Sequence, residues 1–426
     1  MTFIGLREGS RGPKVEYLQS ILNKLGFNAG NVDGIFGSRT AAALRRFQKS
    51  AGLSQDAIIG ENTWNALLPY LQGYFVYTVK QGDTYYKLAK RFNTTVVRIE
   101  NANPGIDPNN LQIGQEIIIP LFSQTIPTDI HYGYEFMEFN LKSIEKRFPF
   151  VELFSIGKSV LGKNLYGVKI GNGNKEVFYN ASHHANEWIT TVVMMKFIEQ
   201  FCNAYITEGT LAGENAVNIF ETATIYIVPM VNPDGVDLVT GFYPRGSDVW
   251  NNAYSLNNGE PDFPDNWKAN IKGVDLNLNY PAGWEEARAY KFSLGYTSPR
   301  PFGYVGPYPL SEPETQAIAA FTENHSFRLI FAYHAQGQLI FWKYKNYNPP
   351  NSYQIALEFA EVSGYTISET PPEMGNAGYK DWFIQEYNLP GYTIEVGLGA
   401  NPLPISQFNE IYKDNVGILT IAPLLA

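Results

Sequence analysis

The stretch "KEVFYNASHHANEW", residues 175–188, decides how this chain is read. It begins as an apolar, strand-sized run and ends in two histidines, three and four residues before Glu187. A polar pair satisfied in a turn would look the same in isolation. The surroundings argue for more. Upstream, "LKSIEKRF" (141–148) has helical spacing, and "LYGVKIGNGNKEVFYNAS" (165–182) reads as two strands joined through Gly171-Asn172-Gly173. Downstream, "TTVVMMKFIEQFCNAY" (190–205) is an amphipathic helix and "TIYIVPMVNPDG" (224–235) returns as a buried strand. This alternation is the α/β pattern, in which ligands gather at the C-terminal ends of strands. "SHHANEW" stands at such an end.

A catalytic zinc needs three protein ligands and one open position. His184 and Glu187, as His-x-x-Glu, can converge on one ion where a strand turns into a helix. The third ligand must come from elsewhere, and the chain has five histidines in all. His131 lies in a linker, and His325 in "FTENHS" is expected to be a solvated helix-end residue. His334, ending the apolar strand "LIFAYH", falls on the crevice edge and is the candidate.

Composition bounds the rest. The 426 residues suffice for several domains, and 44% hydrophobic against 17% charged residues indicates a globular chain. No apolar run approaches the roughly 20 residues of a membrane span. The start, "MTFIGLREGSRG", lacks the basic and apolar regions of a secretory signal. The expectation is therefore that a signal was removed, or that the protein reaches its target by lysis or from inside a cell. A single cysteine, Cys202, allows no intrachain disulfide, and helical spacing buries it. Residues 1–72 carry eight basic against five acidic side chains, and residues 73–127 five against four. The remainder is strongly acidic. Mildly basic front segments help a protein dwell on an anionic polymer but are too weak for nucleic acid.

Those front segments have their own patterns. In "LREGSRGPKVEYLQSILNKLGF", Val15, Leu18, Ile21, Leu22 and Leu25 recur at helical spacing and Gly26 closes the helix. "DGIFGSRTAAALRRFQKSAGL" is a turn followed by a helix starting at Ser38 or Thr40, and "ENTWNALLPYL" is a third helix expected to end at Pro69. Together they resemble the peptidoglycan-binding-like domain of cell-wall hydrolases, giving a small all-α three-helix domain over 1–72. The segment 75–121, "YTVKQGDTYYKLAKRF … LQIGQEIIIP", reads strand–helix–helix–strand and resembles the LysM module, a small α+β domain. That resemblance implies an N-acetylglucosamine groove between Gly82, Asp83, Thr84 and Tyr85 on one side and Asn103, Pro104, Gly105 and Ile106 on the other. A linker, "LFSQTIPTDIHYGY", separates these modules from a third domain expected over 128–426.

"VPMVNPDGVDLV", "NWKANIKGVDLNLNYPAGW", "LIFAYHAQGQ" and "YKDWFIQEYNLPGYTIEVG" follow in the order found in zinc carboxypeptidases of the carboxypeptidase A type. "SHHANEW" resembles that family's His-Ala-Arg-Glu-Trp element. With two wall-binding modules in front, the chain is most similar to the bacterial gamma-D-glutamyl-meso-diaminopimelate peptidases. The resemblance implies an α/β domain with a mixed central sheet flanked by helices, and one zinc ion held by His184, Glu187 and His334. His183 is left as a neighbour. Asp275 in "GVDLN" matches the carboxylate that orients the first zinc histidine. Glu395 in "TIEVG" matches the catalytic glutamate, a carboxylate that takes a proton from the attacking water and delivers it to the leaving amine.

The chain also departs from the family. Protein-cleaving members clamp the substrate's C-terminal carboxylate with an Asn-Arg pair, whereas here Asn277 is followed by Leu278. The transition-state arginine aligns with Lys268 in "NWKAN", a point charge for the oxyanion. The substrate-closing tyrosine falls by register on Glu373, with Tyr379 nearby, and Lys380 falls on the floor of the side-chain pocket. An ammonium there suits the distal carboxylate of meso-diaminopimelate. The implied function is a zinc-dependent peptidase cutting the gamma-D-Glu–meso-diaminopimelate bond of stem peptides. Its partner is peptidoglycan, its place the cell wall, the exterior, or the spore and mother cell. No nucleic acid or membrane is expected. A wall-tethered metallocarboxypeptidase acting on proteins, or a non-catalytic glycan-binding wall protein, are the alternatives.

Overall fold

The computed structural model describes residues 1–121, 124–371 and 375–426. It divides into two compact units: residues 1–131 with 135–152, and residues 132–134 with 153–426.

The first unit opens with helices α1 (Pro13–Lys24), α2 (Ser38–Ser50) and α3 (Glu61–Gln72). The expected stop at Pro69 does not occur. Proline removes one backbone donor, but the helix continues one more turn, burying Leu71, and ends at Gly73 in the left-handed region. An internal repeat unseen in the sequence braces the bundle. Gln19 donates to Asp33 (2.8 Å), the Ile35 carbonyl (3.1 Å) and Thr40 (3.2 Å). Gln48 makes the same three bonds, at the same lengths, to Asp56, Ile58 and Thr63. "DGIFGSRT" and "DAIIGENT" are thus two copies of one turn-and-helix unit.

The next segment forms the expected order: β1 (Tyr74–Thr78), α4 (Tyr85–Arg91), α5 (Val96–Ala102) and β2 (Glu116–Pro120), with β1 and β2 antiparallel. Thr84 and Thr95 cap the two helices by accepting from the Lys87 and Arg98 amides. Helix α6 (Tyr134–Arg147) follows in this unit: Tyr17 sets its ring 4.9 Å from Phe136 and donates to Asn140. Nor is the preceding segment a free linker. Ile126 and Ile130 are buried, Asp129 accepts from Ser20, and His131 bonds to Glu16.

The second unit is built on an eight-stranded mixed sheet: β3 (Glu152–Lys158), β4 (Asn164–Ile170), β5 (Lys175–Ala181), β6 (Ala223–Val228), β7 (Phe327–His334), β8 (Leu339–Phe341), β9 (Thr366–Ser368) and β10 (Gly391–Glu395). The spatial order is β9-β8-β10-β7-β5-β6-β4-β3. β10, β7, β5 and β6 run parallel at its centre. Helices cover both faces. On one lie α7 (Ile189–Ile206) and α11 (Phe408–Leu425), where the Tyr179 hydroxyl donates to the Leu419 carbonyl. On the other, α8 (Pro313–Glu323) and α10 (Tyr379–Tyr387) bury Ile318, Trp382 and Phe383 against Phe178, Ile330 and Ala332; α9 (Ser352–Ser363) packs on α11. The alternation of Phe178 and Tyr179 between the two faces is the period of a strand. Cys202 is buried in α7. Among the described residues, no helix is long and apolar enough to cross a membrane.

The chain leaves β5 toward β6 on one side, while β7 lies on the other, so the C-terminal end of β5 is a switch point where an open crevice forms.

Candidate zinc-peptidase site

Three adjacent strands deliver the site. β5 ends at Ala181, and Ser182 follows in the left-handed region (φ 54), which swings the chain out of the sheet. The Ser182 hydroxyl is pinned by Thr190 and Thr191 at 3.0 and 2.8 Å. A short 3-10 turn, Ala185–Glu187, then presents His184 and Glu187 on one side. The "NPDG" element braces this turn: the Asn232 amide donates to the carbonyls of His183 and Ala269. His334 ends β7, and Glu395 ends β10 directly beside it in the parallel register.

His184 Nδ1 lies 2.9 Å from Glu187 Oε1, His334 Nδ1 2.9 Å from Glu187 Oε2, and the two ring nitrogens are 3.3 Å apart. Among the described residues these three form the one cluster of metal-ligating side chains. Two imidazole nitrogens aimed at each other and at a carboxylate share a single focus, which is the donor set of a zinc site. The outer contacts agree. His184 Nε2 meets Asp275 Oδ1 at 3.1 Å, so the proton sits on Nε2 and Nδ1 is free to ligate. The other Asp275 oxygen accepts from the Gly303 amide. Electrostatics make the same demand. Burial pulls His184 down, but Glu187 and Asp275 more than offset it and raise it to about 10. Two buried carboxylates around one ring require positive charge there, whether a proton or a divalent cation.

The cleft, about 620 Å³, is lined by His184, Lys268, Asp275, Asn277, Leu278, Lys380, Asp381, Glu395 and Asn401, among others. Lys268 Nζ stands 3.3 Å from Glu187 Oε1, and that charge raises its pKa. Burial first, and then the Glu187 charge, push the Glu395 carboxyl up, to about 8. A cation held by the three ligands opposes that shift. Leu278 contributes only alkyl surface, packed beside Trp284 and Val305. Asn277 spends its Oδ1 on the Tyr379 amide.

Several expectations change. Tyr379 does not face the cleft: it is fully buried, its hydroxyl bonded to Thr322 and its ring stacked 5.9 Å from His183. Neighbours on a helix point about 100° apart, so α10 can aim only one of Tyr379 and Lys380 outward. Lys380 does line the cleft, but not as a bare ammonium. Its Nζ sits 2.6 Å from Asp381 Oδ1 and donates to the Lys343 carbonyl. His325 is stacked flat on Phe327 at 5.0 Å and donates to the Phe321 carbonyl rather than standing in solvent. Glu373 lies outside the described residues. In the LysM-like segment, Tyr85 is buried in the core and Ile106 packs on it. Asp83 is committed to Tyr77 and Thr84 to its cap. Sequence reasoning passed over Asp381 and Asn401. Both lie beside motifs it used, but neither is a catalytic residue type in a recognisable spacing.

The zinc carboxypeptidase profile matches residues 137–417. The chain belongs to the zinc carboxypeptidase family. It also carries a peptidoglycan binding domain (residues 11–67) and a LysM domain (77–120), which associate it with the cell wall. This zinc carboxypeptidase is 41% identical over 290 residues to gamma-D-glutamyl-L-diamino acid endopeptidase 1 of Lysinibacillus sphaericus, covering 68% of this chain and 71% of that one. Carboxypeptidase B of Rattus norvegicus is 26% identical over 284 residues, 61% of this chain and 62% of its own. The solved structure of thrombin activatable fibrinolysis inhibitor shares the fold, with a TM-score of 0.55 at 18% identity over 70% of this chain and 75% of that one. Family membership makes the chain a zinc metallopeptidase, and the donor set fits that metal.

Proposed function

We propose that the enzyme hydrolyses the bond between gamma-D-glutamate and meso-diaminopimelate in peptidoglycan stem peptides, held on the wall by its two front domains. The observation that carries the substrate reading is the charge layout of the cleft. Among the described residues no guanidinium lines the cleft to clamp a protein C-terminus, while Lys380 and Asp381 form an ion pair on the cleft wall. An amino-acid end bearing both a carboxylate and an ammonium, as the distal centre of meso-diaminopimelate does, can meet both members of such a pair. The Lysinibacillus relative is named for cleavage next to an L-diamino acid, which supports the same bond class.

His184, Glu187 and His334 would hold zinc, which when bound polarises the scissile carbonyl and makes the attacking water more acidic. Glu395 takes a proton from that water as the carbon–oxygen bond forms. It then gives the proton to the departing diaminopimelate nitrogen as the carbon–nitrogen bond breaks. Lys268 faces the negative charge that develops on the carbonyl oxygen. Asp275 keeps the proton of His184 on Nε2.

Incubating the zinc-loaded full chain with L-Ala-gamma-D-Glu-meso-diaminopimelate should release diaminopimelate. Faster release of C-terminal residues from ordinary peptides would favour a protein carboxypeptidase instead. The lysine-containing stem peptide should be a poorer substrate. It keeps an ammonium for Asp381 but offers Lys380 no carboxylate, and losing charge-assisted hydrogen bonds worth ~1.5–3 kcal/mol corresponds to roughly 10- to 150-fold in kcat/KM. Lys380→Met should erode that preference without removing zinc, and equal cleavage of both peptides by the parent would discard the pocket assignment.

A further inference from the structure

We propose that Asn401 is a positioning residue: its amide nitrogen fixes the zinc ligand Glu187 against the chain segment that carries the ligand His334. The proposal rests on the zinc-peptidase reading of the cleft. Asn401 belongs to the loop "GLGANPLP" (397–404) that follows β10. Its Nδ2 donates to Glu187 Oε1 at 3.2 Å and to the Ala335 carbonyl at 2.5 Å. Both partners are acceptors only, so the nitrogen must face them, and both of its hydrogens are used.

These bonds close a ring. The Ala335 amide donates to the other Glu187 oxygen at 3.2 Å, and Ala335 directly follows His334. The Asn401 amide therefore ties the carboxylate after β5 to the chain segment that carries the ligand at the end of β7. It thereby sets the spacing of two ligands that come from different strands. Holding a ligating carboxylate in one orientation is what outer partners do for metal affinity.

The oxygen end is different. Asn401 Oδ1 is buried, has no hydrogen-bond partner among the described residues, and belongs to a side chain on the cleft wall. A buried acceptor left without a donor is costly, so only the two bonds at the nitrogen end hold the amide in this orientation. Because the nitrogen end is locked, the oxygen cannot flip away. The loop itself is held by other bonds: Gln407 donates to the Leu398 carbonyl and accepts from the Leu398 amide, and the Gly337 amide donates to Gly397. Replacing Asn401 thus leaves the loop braced.

Two variants of the full chain test this role. Asn401→Ala removes the amide nitrogen. Asn401→Asp replaces it with a carboxylate set against Glu187. In competition with a zinc chelator, both should bind zinc roughly 10- to 100-fold more weakly than the parent, while metal-free Asn401→Ala unfolds at the parent's temperature. Parental zinc affinity in Asn401→Ala would overturn the positioning role. A parent chain that binds no stoichiometric zinc would instead overturn the peptidase reading beneath it.

Discussion

Glu395→Gln should bind zinc as the parent does and turn over at least ~10²-fold more slowly, the low end for a positioned acid–base group. The substitution preserves shape and the strand register with His334, so the three ligands are undisturbed. What it removes is the ability to carry a proton from water to the leaving nitrogen. Because only the ionised carboxylate can take that proton, the parent's kcat/KM should rise with pH through the Glu395 pKa, and this acid limb should vanish in the variant. Burial and the Glu187 charge push that carboxyl up, and bound cation pulls it back, so the limb reports on the loaded site. Near-parental rates in Glu395→Gln would mean that another group activates the water.

Loss of a ligand should have the other large effect. His184→Ala and His334→Ala should each lose stoichiometric zinc and all measurable hydrolysis, because the two donors left fall short of the three protein ligands a catalytic zinc needs. His183→Ala should keep its zinc. The sequence marks His183 as a bystander in register, yet it is not idle in the fold. It is fully buried, its Nε2 lies 2.9 Å from the Tyr280 hydroxyl, and its ring stacks between His334 and Tyr379. Truncation leaves a cavity and an unpaired buried hydroxyl, so His183→Ala should lose about 2–4 kcal/mol of stability. Metal analysis with denaturant unfolding distinguishes the two histidines. Zinc lost from His183→Ala but retained by His184→Ala would invert the ligand assignment.

Much of this protein was legible in its residues. The ends of β5 and β7 could be read from apolar runs closing on His184 and His334, because a buried parallel strand is a continuous apolar run with an abrupt polar end. The strand–helix–helix–strand order of the LysM domain followed from its own short segments, and the caps Thr84 and Thr95 make only local bonds. The His-x-x-Glu spacing placed two candidate ligands on one short turn for the same reason. Local chemistry of this kind depends only on neighbours in sequence, so the sequence by itself determined the element order, the α/β class of the large unit and the identity of the candidate ligands.

Only the tertiary structure decided which side chains meet across long gaps. Whether Tyr379 or Lys380 faces the cleft depends on the rotation of α10, which is set by packing of Trp382 and Phe383 on the sheet rather than by the spacing of "GYKDW". Lys380 appeared as a free ammonium because an acidic neighbour in sequence is not a partner until side-chain directions are known. Helix α6 took its place with the front unit through Tyr17, more than a hundred residues away. Asn401 lies 214 residues from Glu187 and is joined to it only because β10 and β5 flank β7 in the sheet. Strand order in a mixed sheet follows from crossovers that leave no periodic mark on the chain.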